Sequence, residues 1–417
     1  MKRELPTLSQ ILIVSFLLRL VWALLIPVIP LSDSMAYDVF ATNIWLHKTY
    51  GWEAQQPSSY WPVGTSAIYS ILYTIFGHTY WPIVVLNCVI SIVIINVSYR
   101  LCQRFFPSPQ ERIATLTALA LALWPTMIFY TTVLSSELLY LFFSLLALHW
   151  FFNACDGERY SWPTILSSGA CFAAAYYVRP LITVPLIIAL LSAVLVLHCS
   201  LRRVLSVGAS IGIVMALAVA PWAYRNYQLH DAFVPMSSNS GAVFWMGNQP
   251  GTDGGYLNTP AAMKGMDTHL RSQKLKAEAI EYIKAEPLAF VQRTLYKLVR
   301  FHSYETIGVS WNEQGIRQRF GAWAILPLKL LTTGYWSLLI ITAFAGLIMY
   351  GLREGLWPLC TSPFALLWGS SAAIHALIVS QDRYHIPVVP FIAAFAAYAI
   401  HLCVYRAPQA TSTLETH

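Results

Sequence analysis

The sequence predicts an all-α protein that crosses a membrane many times, and three observations carry that prediction. Hydrophobic residues make up 57% of the 417-residue chain and charged residues only 11%, against about 25% charged in soluble domains. The apolar residues gather in runs close to the ~20 residues that a helix needs to cross a bilayer. Lys and Arg are shared unevenly between the loops on the two sides, which sets an orientation. With 26 basic and 19 acidic residues in all, a soluble globular enzyme, a disordered chain and a nucleic-acid binder are excluded, despite a net charge of +7.

Taken in order, runs of spanning length lie at 8–30, 80–103, 112–132, 135–153, 162–178, 180–199, 203–223, 330–351, 355–379 and 385–404. The Met1-Lys2-Arg3 start leads into the first without a small-residue cleavage site, which reads as an uncleaved anchor. The run 62–77 is too short to span and reads as an interfacial or re-entrant helix. Polar stretches interrupt the pattern at 31–61 and 224–329. With the N-terminus cytoplasmic, the short cytoplasmic segments hold Lys2, Arg3, Arg100, Arg104, Arg112, Arg159, Arg202, Arg203, Arg353 and Arg406. The opposite short segments hold only Lys48, Arg179 and Arg383. The long loop is exempt, because long loops translocate regardless of charge.

The expected organisation is therefore an N-terminal bundle over 1–223 whose first exoplasmic loop is 31–79. A long exoplasmic loop follows over 224–329, then C-terminal spans over 330–405 and a cytoplasmic tail over 406–417. None of the seven cysteines falls in the exoplasmic loops, so no disulfide framework is expected there, and no CxxC spacing suggests a metal.

With so few charges, their placement is informative. Asp33 sits at the membrane surface just after the first span, where a carboxylate suits general-base work on an acceptor hydroxyl or caps a helix starting near Ser34. Asp38, one turn on, reads as a solvated face. Glu137 follows Ser135 and Ser136 at the start of a Leu/Phe-rich span, where an acid is costly unless used or paired; a charge complementing the helix dipole is the equal alternative. Arg179, Arg225 and Arg383 all lie where an exoplasmic turn meets a span. A guanidinium there suits a phosphate headgroup or simply reaches ordinary lipid phosphates. Arg19, near mid-span, should face the bundle interior and bond to carbonyls.

In the long loop two helices are expected, the second opening at Pro287 and running to about Arg300. It places Arg293, Lys297 and Arg300 on one face and Leu288, Val291, Leu295 and Leu298 on the other, an amphipathic pattern suited to a membrane surface. Upstream, Gly247-Asn248-Gln249-Pro250-Gly251 makes an irregular loop, with Phe244, Trp245 and Tyr256 as aromatic neighbours able to stack on a sugar.

Several of these stretches together resemble the GT-C class of membrane glycosyltransferases, most of all bacterial relatives of the protein O-mannosyltransferase and lipid A aminoarabinose transferase group. They are Asp33-x-x-x-Tyr37-x-x-x-Ala41; Trp61-Pro62-Val63-Gly64-Thr65 ahead of Phe76-Gly77; and Leu134-Ser135-Ser136-Glu137-Leu138-Leu139-Tyr140. The others are Pro221-Trp222-Ala223-Tyr224-Arg225-Asn226-Tyr227 with Gly247-Asn248-Gln249-Pro250, Glu278 through Pro287 to Lys297, and Asp382-Arg383-Tyr384-His385-Ile386-Pro387. The family's second first-loop acid is missing here and its second proline is Val63; the periplasmic domain that some relatives carry is not expected after the last span.

The resemblance implies a GT-C-type bundle of about 10–11 transmembrane helices with juxtamembrane helices and one long exoplasmic loop. It implies an inverting transfer of a sugar from a polyprenyl-monophosphate donor to a hydroxyl of a glycan, lipid or protein acceptor, on the periplasmic face of an inner membrane. Asp33 matches the catalytic base, and Glu137 holds the acceptor or steers the base. Positive charge placed where charge develops on the leaving phosphate is the large contribution to such a reaction; Arg225 and Arg383 are the first candidates, Arg179 and Lys297 the next. Tyr384 and His385 orient the phosphate or cap Arg383, and Tyr37, Trp61 and Asn248 line the substrate site. No obligatory divalent ion is expected, though a divalent metal stays open. Two other readings are carried. One is a ligase or polymerase acting on a diphosphate-linked glycan through loop residues such as His230, His269 and His302. The other is a lipid transporter, for which Arg19 is the only clear mid-span charge and no repeated halves appear.

Overall fold

The computed structural model describes residues 5–157, 160–263 and 265–405. Lys2, Arg3, Arg159, Arg406 and the tail 406–417, used above for orientation, lie outside them. Among the described residues the chain is helical, with one isolated β-bridge between Glu53 and Gln56.

The helices are α1 (Leu8–Leu25), α2 (Asp33–His47), α3 (Gly64–Phe76), α4 (Trp81–Phe105), α5 (Gln110–Leu123), α6 (Pro125–Phe129), α7 (Glu137–Asp156), α8 (Trp162–Val178), α9 (Thr183–Leu195) and α10 (Leu201–His230). The long loop then carries α11 (Ser240–Met246), α12 (Thr268–Ala285), α13 (Pro287–Ser303), α14 (Ile307–Ser310) and α15 (Glu313–Phe320). The chain returns through α16 (Ile325–Glu354), α17 (Leu356–Thr361), α18 (Pro363–Leu377) and α19 (Val389–Ile400). Among the described residues five α-helices, not two, thus lie in the long loop.

By length and composition, six helices among the described residues can cross a membrane, and seven if the pair 110–123 and 125–132, bent by 53°, is one span. Helices such as 180–195 and α18 are apolar but shorter. The expected ten or eleven spans therefore correspond to fewer full-length crossings, because proline and polar turns divide several apolar runs. The protein is a multi-pass membrane protein, and its core is one large apolar cluster with smaller separate ones beside it.

The bend after α5 explains Arg19. Pro125 has no N–H, so the Leu121 carbonyl loses its helical partner. Arg19, fully buried on α1, supplies it: Nη2 donates to Leu121 O at 3.3 Å and Nη1 to Ala122 O at 3.1 Å. Nη1 also donates to Ser15 Oγ at 2.6 Å. Arg19→Leu should therefore strand these carbonyls and destabilise the fold by about 1–3 kcal/mol, read as a lowered unfolding temperature in detergent; an unchanged temperature would contradict this role.

Asp38 is not the solvated acid that its spacing suggests. It accepts from the Tyr73 hydroxyl at 2.6 Å, the Tyr80 hydroxyl at 3.0 Å and pairs with His78 Nε2 at 2.9 Å. That cluster ties α2 to α3 and to the start of α4, and so fixes the helix that carries Asp33.

Candidate active site

Asp33 is the first residue of α2. The chain enters through Ser32, at φ 56° and ψ −124°, a conformation that side-chain-bearing residues rarely adopt. Ser32, not Asp33, holds the capping position, and no side chain caps the helix start, so the capping reading of Asp33 does not hold. Its carboxylate instead accepts at Oδ2 from Arg383 Nη1 at 2.6 Å and remains 25% exposed.

Arg383 sits in the turn between α18 and α19. Its Nη1 lies 3.9 Å from Glu137 Oε1, its Nε donates to Gln381 at 2.9 Å, and its guanidinium lies 4.9 Å over the Trp311 ring. Burial works against its charge, yet Asp33, Tyr384 and Glu137 outweigh it and raise the Arg383 pKa above the ordinary arginine value. Glu137, fully buried, opens α7 and accepts from Arg179 Nη2 at 2.6 Å. Arg179 also donates through Nε and Nη2 to Ser136 Oγ at 3.0 and 2.8 Å. Asp33, Arg383, Glu137 and Arg179 thus form a row of alternating charge, drawn from four distant parts of the chain. Tyr37 lies against it: burial, then Asp33 and Glu137, push its phenol up. Beside the row, Glu137 Oε2 and the Ser135 hydroxyl are buried with no hydrogen-bond partner among the described residues.

Arg225 lies apart from this row. It donates through Nη1 to Ser58 O at 2.7 Å and to Asn226 Oδ1 at 2.9 Å, and stacks 4.7 Å from the Trp222 ring. No carboxylate pairs with it among the described residues. It lines a cavity of about 710 Å³ whose walls combine Lys48 and Arg225 with the aromatic Tyr50 and Trp222 and the apolar Ile68 and Phe143. Loop 57–61 joins the two regions: Ser58 holds Arg225, while Tyr60 feels the charges of Arg271 and Asp33. Trp61 packs in an aromatic group with Phe40, Trp52 and Tyr60.

Other sequence candidates lie elsewhere. His385 is fully buried; its ring nitrogens are 3.0 Å from Phe301 O and Glu305 Oε1, and it stacks on Trp336. Both of its ring nitrogens are thus engaged within the chain rather than by Arg383. Tyr384 stacks on His375 at 4.4 Å and flanks Arg383 at 5.3 Å. Asn248 is fully buried and bonded through Nδ2 to Phe244 O and Leu377 O at 2.8 and 2.9 Å, which leaves its amide committed to the fold rather than to a substrate. Lys297 is likewise buried, away from the acid row; burial, and then Arg293, lower its pKa to about 8. Arg300 pairs with Asp253 at 2.9 Å, so α13 does not present three free cations on one face. His230 lies between Asp267 and Ser59 at 2.7 and 2.6 Å, with the His269 ring 5.9 Å away, whereas His302 bonds Trp368 and does not join them. Sequence reasoning passed over Lys48, Arg271, Tyr60 and Trp311, which carried no motif and are gathered only by the fold.

This architecture is the GT-C fold. A computed match to an oligosaccharyltransferase of Archaeoglobus fulgidus covers 95% of this chain and 50% of that one, with a TM-score of 0.55 at 14% identity. The ArnT structure from Cupriavidus metallidurans bound to undecaprenyl phosphate gives 0.53 at 14% identity, over 94% of this chain and 59% of that one. The archaeal AglB in complex with an inhibitory peptide and a dolichol-phosphate gives 0.54 at 13% identity, over 95% and 50%. The chain thus spans about half the length of the oligosaccharyltransferase it resembles. Residues 61–224 match the family model described as dolichyl-phosphate-mannose-protein mannosyltransferase. No curated protein sequence matches it.

Proposed function

We propose that the protein is an inverting glycosyltransferase that moves a sugar from a polyprenyl-monophosphate donor to an acceptor hydroxyl, on the periplasmic face of a cell inner membrane with both termini cytoplasmic. The observation that carries this reading is the division of charge. The two acids are each met by an arginine, whereas Arg225 and Lys48 face a large, mainly apolar cavity without a carboxylate. An anionic head on a long hydrocarbon tail is the ligand such a cavity suits, and the solved relatives are bound to lipid phosphates of that kind.

In the reaction, the free oxygen of Asp33 takes the proton of the acceptor hydroxyl as its oxygen bonds to the anomeric carbon. The bond from that carbon to the phosphate oxygen breaks, and its electron pair leaves with the lipid phosphate. Attack opposite the leaving group inverts the anomeric centre. Arg225 and Lys48 meet the charge that grows on the phosphate. Arg383 holds and aims Asp33, and Arg179 holds Glu137, whose unpartnered Oε2 receives a second hydroxyl of the acceptor. Because arginines already neutralise both acids, we assign the charge stabilisation to Arg and Lys, with no obligatory divalent ion.

The test follows release of polyprenyl phosphate from a labelled monophosphate donor, in EDTA. Arg225→Ala should raise the donor KM about 10- to 100-fold, the worth of one or two charge-assisted bonds. An unchanged KM would remove Arg225 from the phosphate site, and loss of release with EDTA would overturn the metal-free reading. A diphosphate-linked glycan outcompeting the monophosphate donor would favour the ligase alternative.

A further inference from the structure

Lys297 is a buried cation with no carboxylate at its side chain among the described residues. Its Nζ donates to Ile378 O at 2.8 Å, Gly247 O at 3.0 Å and Asn248 Oδ1 at 3.1 Å, with Leu377 O at 3.4 Å. The 377 and 378 carbonyls stand at the C-terminal end of α18, where helical carbonyls lack partners and a cation is favoured.

Two glycines allow this closeness. A Cβ on Gly247 would lie 1.8 Å from Ile378 O, and one on Gly254, at φ +78°, would lie 2.5 Å from Lys297 Cγ. Around the ammonium, Asn248 Nδ2 donates to Leu377 O at 2.9 Å and Ser380 N to Gly254 O at 2.9 Å. Loop 247–254 is therefore stitched to segment 377–380 with Lys297 at the centre. Three residues beyond Ser380, Arg383 reaches Asp33.

We propose that Lys297 is a positioning residue for the transfer reaction: by pinning the end of α18 to loop 247–254, it fixes the turn that holds Arg383 against Asp33. This rests on the glycosyltransferase reading above. It departs from the family-derived expectation that Lys297 meets the donor phosphate, since its three protons are taken by four oxygens of the chain itself.

Lys297→Met keeps the aliphatic stem and removes the tie. In the full chain, reconstituted and assayed for polyprenyl phosphate release from a monophosphate-sugar donor, kcat should fall about 100-fold, the scale of a small misplacement transmitted from outside the chemistry. The donor KM should stay unchanged. A KM rise with kcat intact would make Lys297 a donor ligand and overturn the proposal, as would an unaltered kcat. Release by the unsubstituted chain is the control; if it shows none, the glycosyltransferase reading fails, which is a separate result from equal rates in both proteins. Should Lys297→Met not fold, Gly254→Ala, which drives a methyl into the Lys297 stem, should produce the same loss of kcat, and a folded Gly254→Ala protein with full kcat overturns the proposal.

Discussion

Asp33→Asn should lower the transfer rate about a thousandfold, within the 10²–10⁴ that a positioned base contributes, while the helical bundle stays intact. The asparagine keeps an oxygen for Arg383, so the contact now made at 2.6 Å has a neutral replacement and the turn between α18 and α19 stays in place. What it loses is the ability to take a proton. The donor KM should not change, because the phosphate is assigned to Arg225 and Lys48, on the far side of loop 57–61. The check is kcat and KM for donor in the substituted and unsubstituted proteins. Full activity in the Asn variant would end the assignment of the base.

Arg383→Met should affect stability and rate together. It strips the cation from Asp33 and leaves Glu137, fully buried, with Arg179 alone. Breaking a largely buried ion pair costs about 3–5 kcal/mol; with Asp33 25% exposed, the lower end, about 3 kcal/mol, is expected. The turnover should also drop, about 100-fold, because Asp33 loses the group that aims it. Arg383→Lys should fall between, since a lysine carries the charge but lacks the Nε that donates to Gln381 and the planar face over Trp311. Thermal unfolding in detergent and single-turnover transfer check this. A methionine variant with normal unfolding and normal rate would show that the pairing with Asp33 is incidental.

The membrane class was legible because apolar runs of spanning length need no tertiary information. Arg19 was legible for the same reason: a charge at mid-span must be satisfied inside, and Pro125 frees the carbonyls it meets. The number of full-length crossings was less so, because breaks such as that before Pro125 turn one apolar run into two helices. In the site, sequence singled out Asp33, Glu137, Arg179 and Arg383, and the fold brings these four together. It did not reveal that Arg383 turns to Asp33, 350 positions away, since pairing at that distance is decided by packing. The partners of Lys297 and Asn248 within the chain were hidden for a related reason. Their partners are largely backbone carbonyls, which every residue carries and no motif marks. The pairing of His385 with Glu305 was hidden because Glu305 is an isolated residue that only the fold sets beside it.

The most direct test of the central claim uses the purified full chain in nanodiscs with a panel of labelled polyprenyl-monophosphate sugars, following release of free lipid phosphate with Asp33→Asn alongside. The glycosyltransferase reading predicts release from one donor and its loss in the variant. Release that persists equally in Asp33→Asn, or no release from any donor by folded protein, would contradict it.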